Sequence, residues 1–206
     1  VFEFNEVINE LVLWLKENQE WISFSVFGAA FIESFALIGV IIPGAVLLWS
    51  ISAMAAATSQ NVFELVLYAY IASFLADILS FLLGGRISKS IDDFWPFNKH
   101  PNLLIQGRGF VKRFGILGIF LGKFVGPIRP LLPITAGSLG MNFKHFLAVE
   151  IFSSFFWALI YVLIPYYFGL SILENGINSY LSIAIIFGIV VLIAIVSYFN
   201  RKYIEE

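Results

Sequence analysis

From Tyr180 to Phe199 the chain runs for 20 residues without a charge, and Arg201 and Lys202 follow at once. A bilayer core takes about 20 apolar residues of helix to cross, so this run reads as a membrane span. Phe146 to Ile164 is broken only by Glu150 and two serines, and Val62 to Leu83 only by Glu64, Asp77 and two serines. Both read as further spans. Composition agrees, with 60% of 206 residues apolar and 13% charged, against roughly a quarter charged in soluble domains. The lack of cysteine excludes disulfide frameworks, thiolate metal sites and cysteine nucleophiles. A net charge of −2 argues against a nucleic-acid-binding surface. His100 and His145 lie in polar breaks without metal-ligand spacing, so no metal or other cofactor is expected.

Two more apolar stretches are broken. Ile22 to Ile42 holds Glu33 and stops at Pro43-Gly44, and the shorter run Ala45 to Ala57 follows. Phe114 to Val125 ends in Gly126-Pro127-Ile128-Arg129-Pro130. Runs this short suggest re-entrant pieces, although a proline could also merely kink a complete span. Nine of the twelve basic residues lie in 84–113, at Lys144 and at Arg201-Lys202, which the positive-inside rule places in the cytoplasm. Stretch 22–57 must then enter and leave outside, and 114–140 inside. The expected fold is therefore all-α, a polytopic membrane protein with two inverted re-entrant helical hairpins and about three full transmembrane helices. Broken helices in corresponding positions mark substrate sites in transporters built this way.

Three divisions are expected. Residues 1–20 carry Phe4, Val7, Ile8, Leu11, Trp14 and Leu15 at helical spacing, an amphipathic surface helix or one packed on the bundle. They are too acidic for a signal peptide. Residues 21–175 form the membrane domain, and 176–206 the last transmembrane helix with a short cytoplasmic tail.

Glu33, Asp77, Lys123, Arg129 and Glu150 fall inside apolar segments. Each costs roughly 3 kcal/mol unpaired at the bilayer centre, so they must pair, face water or lie near an interface. Glu150 begins barely a turn inside its run and reads as interfacial. Arg129 offers a planar fork for phosphate or carboxylate, and Lys123 a point charge. Two cations at a Gly126-Pro127 break, opposite Pro43-Gly44 beside an acid, point to an anion site. They could also be structural counter-ions to Glu33 and Asp77. If those four are ionised their charges sum to zero, so Glu33 is expected to approach Arg129 or Lys123 when the site is empty. Gly118, Gly122 and Gly126 at four-residue spacing permit close helix approach.

Phe31-Ile32-Glu33 with Ile42-Pro43-Gly44 resembles the first signature of the DedA family of membrane proteins. The stretch from Gly122-Lys123-Phe124-Val125-Gly126-Pro127-Ile128-Arg129-Pro130 to Ala136-Gly137, together with His100-Pro101, Gly115, Met141, Trp157 and Gly169, resembles its second. The resemblance covers roughly 20–170. It implies paired re-entrant hairpins in multi-pass proteins of the bacterial inner membrane that maintain the cell envelope. It further implies a flippase that returns undecaprenyl phosphate across that membrane, with proton coupling. Other activities stay open: a proton- or sodium-coupled small-solute transporter, a phospholipid scramblase, or a non-transporting scaffold. The substrate-binding set would be Arg129, Lys123, Gly126, Pro127, Pro43 and Gly44, with Glu33 and Asp77 coupling protons and no catalytic or metal-binding residue. The family pattern has acids at positions 33 and 45 and arginines at 123 and 129. Glu33 and Arg129 match it, whereas Ala45 and Lys123 depart from it, and the family's tyrosine four residues after position 77 is Phe81 here. An enzyme is not expected. The expected partners are a polyprenyl phosphate and bilayer lipids, with homo-oligomerisation open.

Overall fold

The structure, a computed structural model, describes residues 10, 13–39, 44–93, 97–99, 101–125 and 128–175. Among these it is all-helical, without a strand. After the helical residues 13–17 come six α-helices among the described residues: α1 (Ile22–Ser34), α2 (Gly44–Ala57), α3 (Val62–Arg86), α4 (Pro101–Gly122), α5 (Leu131–Ser138) and α6 (Phe143–Asn175). Short 3-10 turns occur at Gln19–Trp21 and Ile91–Asp93. In lipid, only structures that satisfy their own backbone hydrogen bonds persist, and helices do so within one segment.

Among the described residues, two helices are long and apolar enough to cross a membrane, Val62–Arg86 and Phe143–Ser171. These contain two of the three expected spans. The third, Tyr180 to Phe199, and with it the division 176–206, lies outside the described residues. Asparagines start both long helices. The Asn61 side chain accepts from the Phe63 N–H at 3.0 Å, and that of Asn142 from the Lys144 N–H at 2.9 Å. Each thereby satisfies one of the backbone donors that a helix start leaves unpaired. The remaining helices are shorter. At about 1.5 Å per residue, the 13 residues of α1 and 14 of α2 fall short of the roughly 30 Å of a bilayer core. Helix α4 is broken within itself at Gly115, whose φ of 56° and ψ of −131° suit a residue without a Cβ.

The described residues fall into two compact units. The first draws on Val1–Ala30, Gly44–Ala69 and Ala158–Glu206, and the second on Phe31–Pro43 and Tyr70–Trp157. Within the first, the Ser23 hydroxyl donates to Glu64 at 3.0 Å, and the Tyr166 hydroxyl to the Gln60 carbonyl at 2.8 Å. Trp49 meets Tyr161 edge to face. Of the expected surface helix, residues 10 and 13–17 are described and helical, with Leu15 buried and Leu13 and Trp14 exposed.

The second unit is packed around α5. Phe81 stacks on Phe146 at 4.3 Å between ring centroids, and Val111, Ile119, Ile128, Leu132 and Ala136 complete the buried cluster. A second cluster joins Leu131 and Ile134 to Phe97 and Leu104. Helices that share a bilayer gain little from leaving water, so close backbone approach and dispersion contacts must hold them. Glycines allow that approach here. A Cβ on Gly137 would lie 2.0 Å from the Phe81 carbonyl oxygen, and one on Gly84 would lie 2.0 Å from that of Ile134. Of the glycines spaced for close approach, Gly122 abuts Leu132, while Gly118 faces Phe110 and Phe114 of its own helix. Gly137→Ala must push α3 and α5 apart, and is expected to lower stability by about 1–3 kcal/mol. Thermal unfolding in detergent checks this, and an unchanged midpoint would contradict the packing.

Candidate functional site

The five charges of the apolar segments all belong to the second unit, and they form two groups. The first is built on Arg129, in the turn that leads into α5, where its backbone N–H donates to the Val125 carbonyl at 3.2 Å. The side chain is 4% exposed. Its Nη1 donates to Glu33 Oε1 at 2.8 Å, and its Nη2 to Ser34 Oγ at 2.7 Å. The guanidinium carbon lies 4.0 Å from the centroid of the Trp157 ring, a cation–π contact that suits the weakly hydrated arginine better than an ammonium. Ser34 shares a hydrogen bond of 2.9 Å with Ser73 on α3. Just beyond, the Ala36 N–H donates to Ser80 Oγ at 3.0 Å. The end of α1 is thus tied to α3 by hydroxyls, and Arg129 reaches both Glu33 and Ser34 there. The pairing of Glu33 with Arg129 expected from charge balance is present.

The second group is built on Lys123, just past the end of α4 and 4% exposed. Its Nζ donates to Asp77 on α3 and to Glu150 on α6, and to Ser154 Oγ at 2.6 Å. Ser154, one turn along α6, donates in turn to Glu150. Asp77 is 4% exposed and Glu150 1%. Glu150, for which the interfacial reading is favoured from sequence, takes the pairing alternative: it is buried beside Lys123. Lys123 holds this interior pair of carboxylates together.

The other expected site residues are distributed as follows. Gly44 is buried at the start of α2, in the first unit. Pro43, Gly126 and Pro127 lie outside the described residues. Phe81, one turn beyond Asp77, belongs to the packed core. His145 is exposed, and among the described residues no group of three or more His, Cys, Asp or Glu side chains could hold a metal ion. The pairing of Glu150 and the hydrogen bonds of Ser34, Ser73, Ser80 and Ser154 go beyond the sequence reading, in which Ser73, Ser80 and Ser154 are only interruptions of apolar runs. An apolar groove of about 460 Å³ also runs between α4 and α6, lined by Ile116, Leu117, Phe120, Val149, Phe152 and Phe156 among others.

A family model described as the VTT domain matches residues 42–167. Among curated proteins, the chain is 32% identical to the inner membrane protein YabI of Escherichia coli, over 71% of this chain and 56% of that protein. It is 25% identical to protein DedA of the same organism, over 72% of this chain and 69% of that one. It is also 24% identical to an alkaline phosphatase-like protein of Lactococcus lactis, over 89% and 90% of the two chains. The chain spans little more than half the length of several curated relatives it matches, YabI among them. No solved structure matches it.

Proposed function

We propose that this chain, which belongs to the VTT-domain (DedA) family of membrane proteins, is a multi-pass inner-membrane transporter of a lipid phosphate. The substrate we favour is undecaprenyl phosphate, carried with a proton. The observation that carries this reading is Arg129. Its guanidinium is buried, lies over the Trp157 ring, and donates from its two terminal nitrogens to Glu33 and to Ser34. A fork fixed in this way matches the oxygens of a phosphate without further ordering. Glu33, 14% exposed, is the anion that an incoming phosphate would replace. A displaced Glu33 loses a positive partner, and a proton is the smallest group that can neutralise it. The apolar groove beside α4 supports a lipid rather than a free solute, because an isoprenoid tail would lie there in an environment like its own. In this reading α1–α2, and the pair formed by the last turns of α4 with α5, are the two re-entrant hairpins, and their short helices support it.

Binding of polyprenyl phosphate to the detergent-solubilised chain tests the reading. Saturable binding is expected, with the matching polyprenyl alcohol and inorganic phosphate each much weaker. Equal binding of the alcohol would remove the role of Arg129, and equal binding of inorganic phosphate would favour a solute. Glu33→Gln removes the competing carboxylate, so it should bind at least as tightly as wild type. A tenfold gain corresponds to about 1.4 kcal/mol, and a clear loss of affinity would contradict the displacement.

The topology has its own test. Ser59 and Ser88 are exposed on either side of α3, and the chain has no cysteine. Single cysteines placed there should label from opposite faces of the membrane. Labelling of both from one face would overturn the arrangement.

A further inference from the structure

The Lys123 group has a charge count that does not close. Lys123 contributes one positive charge, and Asp77 and Glu150 contribute two negative charges if both are ionised. All three residues are at least nine-tenths buried. The second carboxylate cannot turn to water, and both converge on the same Nζ. Two carboxylates on one site repel strongly in a low-dielectric interior, and such pairs bind and release protons as a unit. An ammonium has three N–H donors, and those of Lys123 meet Asp77, Glu150 and Ser154. The centre of the group, where a metal cation would have to sit, is therefore already filled by nitrogen. The remaining negative charge can be cancelled only on a carboxylate oxygen.

The geometry points to Asp77 and Glu150 as a carboxylate pair that binds one proton between them, with Lys123 as its built-in counter-ion. Ser154, hydrogen-bonded to both Lys123 and Glu150, positions Glu150 for this. Among the described residues, the ionisable groups at the pair are Lys123 from the end of α4, Asp77 itself from α3 and Glu150 from α6. Arg129 with Glu33 forms a second interior charged group of the same unit, and Arg108 pairs with Asp92 nearer its surface. Glu150 thereby becomes a proton ligand. It gives this chain a second interior acid beside Asp77, although position 45 is alanine. The proton-binding site stands on its own geometry. Only its role as the coupling site rests on the transport reading.

Infrared spectroscopy of the full chain in proteoliposomes tests it, because a protonated carboxyl and a carboxylate absorb separately. Near neutral pH the wild type should show a protonated-carboxyl band. Asp77→Asn and Glu150→Gln should each abolish it, since the acid left behind then pairs with Lys123 as a carboxylate. Glu33→Gln should leave it in place. Heavy-carbon labelling of aspartate and of glutamate in the wild type, each shifting the band, gives the same assignment if a variant does not fold. Lack of the band in the wild type would overturn the site, as would its survival in either Asp77→Asn or Glu150→Gln. Loss of the band on adding sodium, but not choline, would also overturn it in favour of a metal cation. An intact band in a protein that binds no lipid phosphate would support the proton site and remove the transport reading.

Discussion

Lys123→Met is expected to lower stability by about 3–5 kcal/mol, because it leaves a buried, charged carboxylate pair without its counter-ion. For a chain of this size that corresponds to a fall of roughly 6–20 °C in the unfolding midpoint. The size of the effect comes from the stranded negative charge of the pair, not from the net strength of the ion pairs. A triple variant, Lys123→Met with Asp77→Asn and Glu150→Gln, removes the charges together. It should recover most of the loss, since replacing a whole buried ionic group with neutral residues is often close to neutral. Unfolding of the detergent-solubilised variants, followed by tryptophan fluorescence, measures both. A single variant as stable as wild type would show that Lys123 holds nothing together. A triple variant as unstable as the single one would assign the loss to packing instead of charge.

Arg129→Lys should cripple lipid-phosphate binding while leaving the chain folded. Lysine keeps the positive charge but supplies no planar fork. It cannot reach Glu33 and Ser34 through two separate, co-planar nitrogens, nor lie flat on Trp157. Truncating one side of a buried charge-assisted contact typically costs about 2–5 kcal/mol, so binding should weaken by roughly 30-fold or more. The unfolding midpoint should move much less, because Glu33 is partly exposed and retains a cation beside it. Wild-type affinity in a folded Arg129→Lys protein would mean that charge without geometry suffices, and Arg129 would no longer be the head-group ligand.

Much of the site was legible because charges are rare in apolar runs. Glu33, Asp77, Lys123 and Arg129 stand out for that reason, and charge balance points Glu33 to Arg129 or Lys123, of which the structure shows Arg129. Glu150 reads as interfacial because it lies near the start of its apolar run, a position that carries no signal of the pairing with Lys123. Its partner Ser154 lies four residues on, and Ser73, Asp77 and Ser80 follow at spacings of four and three on α3. Both are helical neighbour spacings, so a polar stripe facing the interior could have been read from them. The stacking of Arg129 on Trp157 left no such signal, since it joins positions 28 residues apart on different elements. Packing was legible only in part. The small-residue spacing along α4 was visible, but the closest backbone approaches occur at Gly84 and Gly137, where two segments distant in sequence meet. The expected span Tyr180 to Phe199 and the breaks at Pro43, Gly126 and Pro127 lie outside the described residues.

The most direct measurement is transport by the purified chain. Proteoliposomes carrying it, loaded with a fluorescent polyprenyl phosphate in one leaflet, should expose that lipid to a membrane-impermeant quencher much faster than protein-free vesicles. Arg129→Lys proteoliposomes should be slowed towards the protein-free rate, and a labelled polyprenyl alcohol should be unaffected by the protein. Equal rates for phosphate and alcohol, or a phosphate rate no faster than in protein-free vesicles, would contradict the account.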